Sequence, residues 1–223
     1  MEVYKTYQKA PLMKSVQVYE QLKKELMEGK WNFGAKILVN SLIERFNVSR
    51  RPVMDALKML ENDGFIQIVP QSGCKVIDFS KKDFIDHFLI SSSLESLCAA
   101  QAAIHRTEEQ IEALEQYQEM IKKKQRKFEE KLFYFKYNRE FHYHISIMTG
   151  SERIRNSCMQ LWDLNDFYLI CLFEHNHYKP LDIINDHDQI FHSIRRGDPG
   201  QTKKLMEEHL SHYIEQIMDL LPV

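Results

Sequence analysis

Asn138 and His142 stand four residues apart, so on a helix they share one face. His187 and His209 follow, 22 residues from each other. Three imidazoles converging in a helical core are a donor set for a divalent transition metal such as zinc or nickel. A second constellation lies earlier, in Asn47-Val48-Ser49-Arg50-Arg51-Pro52-Val53. A small polar residue followed by two guanidinium groups suits the base edges and phosphates of double-stranded DNA, provided it opens a helix. The amides of that helix start also favour an anion. Val53, Ala56, Leu57 and Leu60 would give the helix an apolar back to rest on.

The elements that must position these groups are read from glycine, proline and periodicity. Gly29, Gly34, Gly64 and Gly73, with Pro11, Pro52 and Pro70, crowd the first 73 residues. Then 76 residues pass without either breaker, until Gly150. Such a stretch predicts long helices. In the first part, Val16, Tyr19, Leu22 and Leu26 predict a helix ended by Gly29, and a short second helix covers about 40–46. A third begins near Ser49, carries Pro52 in its first turn and stops at Gly64. Phe65–Val69 and Lys75–Ile77 flank a turn and predict a hairpin. Three helices and a two-stranded wing are the order of a winged helix-turn-helix.

Beyond a linker at Asp78–Lys82, Ser80 with Asp83 and Thr107 with Gln110 read as helix N-terminal caps, and Asp198-Pro199 as a cap followed by a first-turn proline. Six helices are expected, at about 81–105, 108–127, 129–148, 151–174, 180–196 and 199–220. The fold class is therefore mainly α. A winged helix-turn-helix over 1–78 precedes an all-helical bundle over 79–223.

Composition agrees with two small globular domains: 43% hydrophobic and 28% charged residues. No apolar run approaches the roughly 20 residues of a membrane helix, and no signal-peptide core opens the chain, so a cytoplasmic protein without membrane partners is expected. The net charge of −2 divides unevenly: residues 1–78 hold 12 Lys+Arg against 9 Asp+Glu, and the remainder holds 18 against 23. The basic part is the one expected to meet a polyanion. Cys74, Cys98, Cys158 and Cys171 form no paired motif and are expected to be reduced and mostly buried.

The stretch Val16–Phe79, with GAKILVNSLIERFNVSRRPVMDALKMLENDGFI and GCKV, resembles the GntR-type winged helix. The resemblance implies base and phosphate contacts by Ser49, Arg50 and Arg51, a second-helix contribution at Asn40 or Ser41, and a wing tip of Gln71, Ser72, Gly73 and Lys75 entering the minor groove. The segments NREFHYHI, DHDQIFHSIRRGD and KKLMEEHLSH resemble the FCD ligand-sensing domain of the FadR-like branch, and six helices suit its shorter, VanR-like group. That resemblance implies a metal site at Asn138, His142, His187 and His209. It gives no such role to His144, His175, His177, His192 or His212. The chain departs from the pattern at three points. Met54 and Ser91 stand where many relatives carry arginine, and Asn138 stands where they carry aspartate. An amide oxygen is neutral and a weaker metal donor than a carboxylate. Ser91, Tyr137, Arg139 and Asn165 are candidates for lining an effector pocket.

The expected function is that of a ligand-responsive homodimer on a pseudo-palindromic operator, a repressor released by a small metabolite of the organic-acid class. Two alternatives stand beside it. A DNA-binding dimer that has lost sensing would account for the altered Asn138 and Ser91. A metalloenzyme would need further motifs: only Glu174-x-x-His177 fits a di-iron pattern, and no H-E-x-x-H is present.

Overall fold

The computed structural model describes residues 13–69, 73–124, 131–175 and 183–220. They form two compact units, Met1–Phe79 and Ser80–Val223.

In the first unit, helix α1 (Lys14–Met27) buries Val18, Leu22 and Leu26 against α3. The core stripe thus runs through Val18. Val16 and Tyr19 lie half-buried at its edge, where the Tyr19 hydroxyl donates to Asp63. A polar pin completes α1. Glu25, itself buried, accepts from Gln21 Nε2 (3.0 Å), Trp31 Nε1 (3.3 Å) and Arg45 Nη2 (2.8 Å). Burial opposes ionisation of Glu25, yet these donors hold its carboxyl below the ordinary value.

Helix α2 (Val39–Phe46) ends at Asn47, which takes the left-handed conformation at φ 50°. That turn delivers the chain into α3 (Arg50–Asn62), whose Val53, Ala56, Leu57 and Leu60 are fully buried. Strands β2 (Ile66–Val69) and β3 (Gly73–Val76) form the hairpin, and a two-residue β1 (Lys36–Ile37) pairs with β3, giving an antiparallel sheet of order β1-β3-β2. Two residues are too few to show a period, so this third strand is invisible to pattern reading. The turn holding Gln71 and Ser72 lies outside the described residues.

The second unit contains six described helices: α4 (Lys81–His105), α5 (Glu108–Lys122), α6 (Lys131–Met148), α7 (Glu152–His175), α8 (Ile183–Arg196) and α9 (Pro199–Leu220). The expected extensions at 125–127, 129–130 and 180–182 lie outside the described residues. The caps form as their sequences predict. Ser80 Oγ accepts from Asp83 N at 3.2 Å, Thr107 and Gln110 exchange both bonds of a capping box, and Asp198 Oδ1 accepts from Gln201 N at 3.0 Å. Helix α4 is the axis, packed against α6, α7, α8 and α9. Its buried Ala99, Ala100, Ala102 and Ala103 let the neighbours approach closely. All four cysteines are buried and none forms a disulfide.

At the far end of this bundle, Arg106 Nη1 donates to Ala103 O (2.8 Å) and Nη2 to Arg195 O (3.3 Å), tying the C-termini of α4 and α8. Gly197, at φ +70°, turns the chain from α8 toward α9, and a Cβ there would stand 2.5 Å from Arg106 Nη2. Gly197→Ala is expected to cost about 1–3 kcal/mol through the strained φ and the displaced guanidinium. Gly150→Ala, with φ +66° but open space around it, is the control that carries the backbone cost alone. Urea unfolding of both variants separates the two contributions. Equal losses would mean that Arg106 moves aside without consequence.

Candidate DNA-reading surface and histidine centre

In the first unit, one surface groove is lined by Lys36, Asn40, Ser41, Arg50 and Gly73, together with residues 37–39 and Cys74. It joins the starts of α2, α3 and β3. Ser49, Arg50, Arg51, Asn40 and Ser41 are all exposed. Arg51 makes only a long contact to Asp55 (4.0 Å) and keeps a side chain 92% exposed. Lys75 is half-buried and paired with Asp78. Lys36, a further cation in the groove, stands directly opposite Lys75 in the sheet. Only the unpredicted β1 strand brings it there, and nothing in its local sequence marks it.

In the second unit, His142 (α6), His187 (α8) and His209 (α9) come together in the core. All three are buried, and one ligand atom from each lies within 4.8 Å of the others. Each ring is held by its Nδ1. His142 Nδ1 meets Glu95 Oε2 on α4 at 2.7 Å, and His209 Nδ1 meets Asp186 Oδ2 at 3.3 Å. His187 Nδ1 lies 2.8 Å from the Tyr137 hydroxyl, which donates onward to Gln118 Oε1 at 2.9 Å. Because the phenol proton is committed to Gln118, the His187 proton must sit on Nδ1, and its Nε2 carries the lone pair. Phe141 stacks on the His187 ring at 3.8 Å and fixes its plane. The Nε2 atoms of both His142 and His187 are buried without a hydrogen-bond partner.

Burial keeps two of the three rings, His187 and His209, neutral. Burial, with the other two histidines adding to it, lowers the His187 pKa well below the usual imidazole value. Burial also lowers that of His209, against the pull of Asp186. A neutral ring with its Nδ1–H bound outward and its Nε2 lone pair unused is the protonation state that a metal ion requires. The residues present therefore fit a divalent ion.

Beside the rings lies a small, partly open cavity. Its walls include Glu95, Asn138, Arg139, His142, Trp162, Asn165, Asp166 and His209. Asn138 thus stands on the same wall as His142, one turn earlier. Arg139 is paired with both Asp163 and Asp166 on α7. Asn165 lines the cavity. Ser91 is fully buried, accepts from Asn165 Nδ2 at 3.2 Å, and is not among the lining residues. Tyr137 is likewise absent from the lining and serves as the hydrogen-bond partner of His187.

Sequence reading did not single out Glu95, Trp162, Asp163, Asp166 or Asp186 for the site. Two of these left a trace. Glu95 is the one charge in the run Ser91–Ala103, and Asp186 directly precedes His187. The partnership of Arg139 with α7 is purely tertiary and left none.

Residues 14–76 match the bacterial regulatory proteins of the gntR family, and residues 88–212 match the FCD domain. Over 206 residues the chain is 25% identical to the uncharacterized HTH-type transcriptional regulator YdhC of Bacillus subtilis (strain 168), covering 92% of each protein. It is also 25% identical over 206 residues to the HTH-type transcriptional repressor RspR of Escherichia coli (strain K12), covering 92% of this chain and 89% of that one. The solved structure of E. coli McbR/YncC shares the fold, with a TM-score of 0.74 at 21% identity over 93% of this chain and 98% of the other. Among the described residues no helix is long and apolar enough to cross a membrane. The chain belongs to the GntR family: it is a DNA-binding transcriptional regulator, not an enzyme, built from a GntR winged helix-turn-helix and an FCD domain.

Proposed function

We propose that this regulator is a repressor whose grip on DNA is released by a small organic acid bound beside a metal ion in the FCD domain. Residues 1–78 read the operator and residues 79–223 sense the effector. The ion is zinc or nickel, held by His142, His187 and His209 with Asn138 beside them. The observation that carries this reading is the pair of buried, unpartnered Nε2 atoms on His142 and His187 within a cluster of three imidazoles. A buried polar atom left unsatisfied costs about 1–3 kcal/mol, so two at one point call for a shared partner. The printed name of RspR, a repressor, supports the direction of control.

A divalent ion, when bound, supplies positive charge that an effector oxygen can meet. The residues of the chain do the rest. Glu95, Asp186 and Tyr137 fix the three rings. Trp162 and Phe88 wall the cavity, and the helices that carry the ligands (α6, α8 and α9) all pack on α4. In a homodimer on a pseudo-palindromic operator, an effector that favours one arrangement of this bundle shifts the population of DNA-competent dimers. A coupling of about 1–3 kcal/mol suffices for a useful switch.

Two measurements test the two halves. Arg50→Ala is expected to weaken operator binding about tenfold or more and to lower the salt dependence of binding. Normal affinity at physiological salt would remove Arg50 from the interface. For the sensing half, metal analysis of protein kept away from nickel resin and chelators is expected to find about one zinc or nickel per chain, lost in His142→Ala. Because burial already holds His187 and His209 neutral, occupancy should persist as the pH falls to 6.5 and be lost only when protons compete below it. No metal in wild-type protein, even after reconstitution, would overturn the metal site.

A further inference from the structure

The cavity beside the histidines is charged in a way that a plain carboxylate does not match. Among the described residues, Arg139 is the only lysine or arginine that lines it, while two carboxylates, Glu95 and Asp166, face the same space. Arg139 is moreover shared: Asp163 binds one arm of its guanidinium and Asp166 the other. An effector carboxylate seeking Arg139 would have to displace an aspartate that is already in place. Ser91 is a buried partner of Asn165 and brings no charge to this space. The wall therefore holds surplus negative charge and no free guanidinium.

Asp166 reports this shortage of cations independently. Its side chain is 13% exposed. Burial, reinforced by the like charges of Asp163 and Glu95, pushes its carboxyl up to about 6 in spite of Arg139. One guanidinium divided between two aspartates does not neutralise both. A third feature points to the ligand itself. Trp162, 6% exposed and lining the same cavity, has its Nε1–H buried without a partner. The cavity thus offers one orphan donor, which needs an oxygen, next to under-neutralised acceptors, which need a cation.

We infer that the effector is an amino acid or a closely related amino-carboxylate, whose ammonium group is received by Asp166 and Glu95 and whose carboxylate reaches Trp162 Nε1 and the histidine centre. This rests on the reading of the bundle as an organic-acid sensor and narrows it. An ammonium group between the two carboxylates adds a cation to a wall where Arg139 is shared with Asp163, and an isosteric acid lacking nitrogen adds none. Loss of a charge-assisted contact at a buried site discriminates strongly.

The test uses full-length, zinc-loaded protein and matched pairs of probes: each L-amino acid beside the 2-hydroxy acid that replaces its ammonium with hydroxyl, such as alanine with lactate and aspartate with malate. Thermal shift and calorimetric titration are expected to find at least one amino acid that binds about tenfold or more tightly than its hydroxy counterpart. In Asp166→Asn that preference should shrink to within about threefold while any hydroxy-acid binding remains. The comparison within wild-type protein decides the matter even where the variant fails to fold. Hydroxy acids binding as tightly as their amino partners would overturn the ammonium site and leave the organic-acid reading standing. No response to either series would overturn both.

Discussion

The Nδ1 atoms of three buried histidines, each satisfied from outside the cluster, are the constraint on which the helical domain depends. Glu95 reaches His142 from α4, Asp186 reaches His209 from the first turn of α8, and Tyr137 reaches His187 from α6. Without these acceptors the rings could turn, and burial would leave both nitrogens of each without a defined role. With them, the proton is fixed outward and the lone pair inward. The cost of bringing three imidazoles into a core is therefore met by hydrogen bonds that also set their chemistry. The support extends outward in a chain. Gln118 accepts from Tyr137 and donates to Asp188 at 3.2 Å, and Asp188 meets Lys122 at 2.9 Å at the surface. A change at the rings is thereby connected to α5, which contributes no ligand atom.

This arrangement explains why α4 is the axis of the bundle. It carries Glu95 on one face and small buried residues on others, so it can touch α6, α7, α8 and α9 at once. The winged unit follows a different logic. Its recognition helix is held by four fully buried apolar residues and needs no polar network, while Glu25 fastens α2 to α1 through Arg45. The candidate reading surface is consequently built on a well-packed helix, with Arg50 and Arg51 left exposed.

How much of this was legible in the sequence differs between the two units. The winged unit was read nearly whole because helical periodicity, Gly29, Pro52, Gly64 and the hairpin all leave local marks. Its misses are the places where local marks fail: a two-residue strand, and a helix whose buried stripe passes through Val18 rather than Val16 and Tyr19. In the bundle, the six helices and their caps were legible for the same reason. The three histidines were picked out by spacing and by family resemblance together. Their supporting carboxylates were not, because the bond from Glu95 to His142 spans α4 to α6 and the pairing of Arg139 spans α6 to α7. Contacts of that kind depend on how helices cross, which no periodicity records. Ser91 shows the same limit from the other side. It is a polar residue on the expected helix, yet it packs behind Asn165 instead of facing the cavity.

The asparagine at 138 also looks different once its surroundings are known. Taken alone, an amide in place of an aspartate weakens a metal site by one charge. In this bundle Glu95 and Asp166 already line the same cavity, Asp163 stands beside Arg139, and Asp186 holds His209. A further carboxylate one turn from His142 would add like charge to a wall where burial has already raised Asp166, and Arg139 is the only guanidinium there to answer it. An amide at 138 keeps an oxygen donor at that place without adding to the excess.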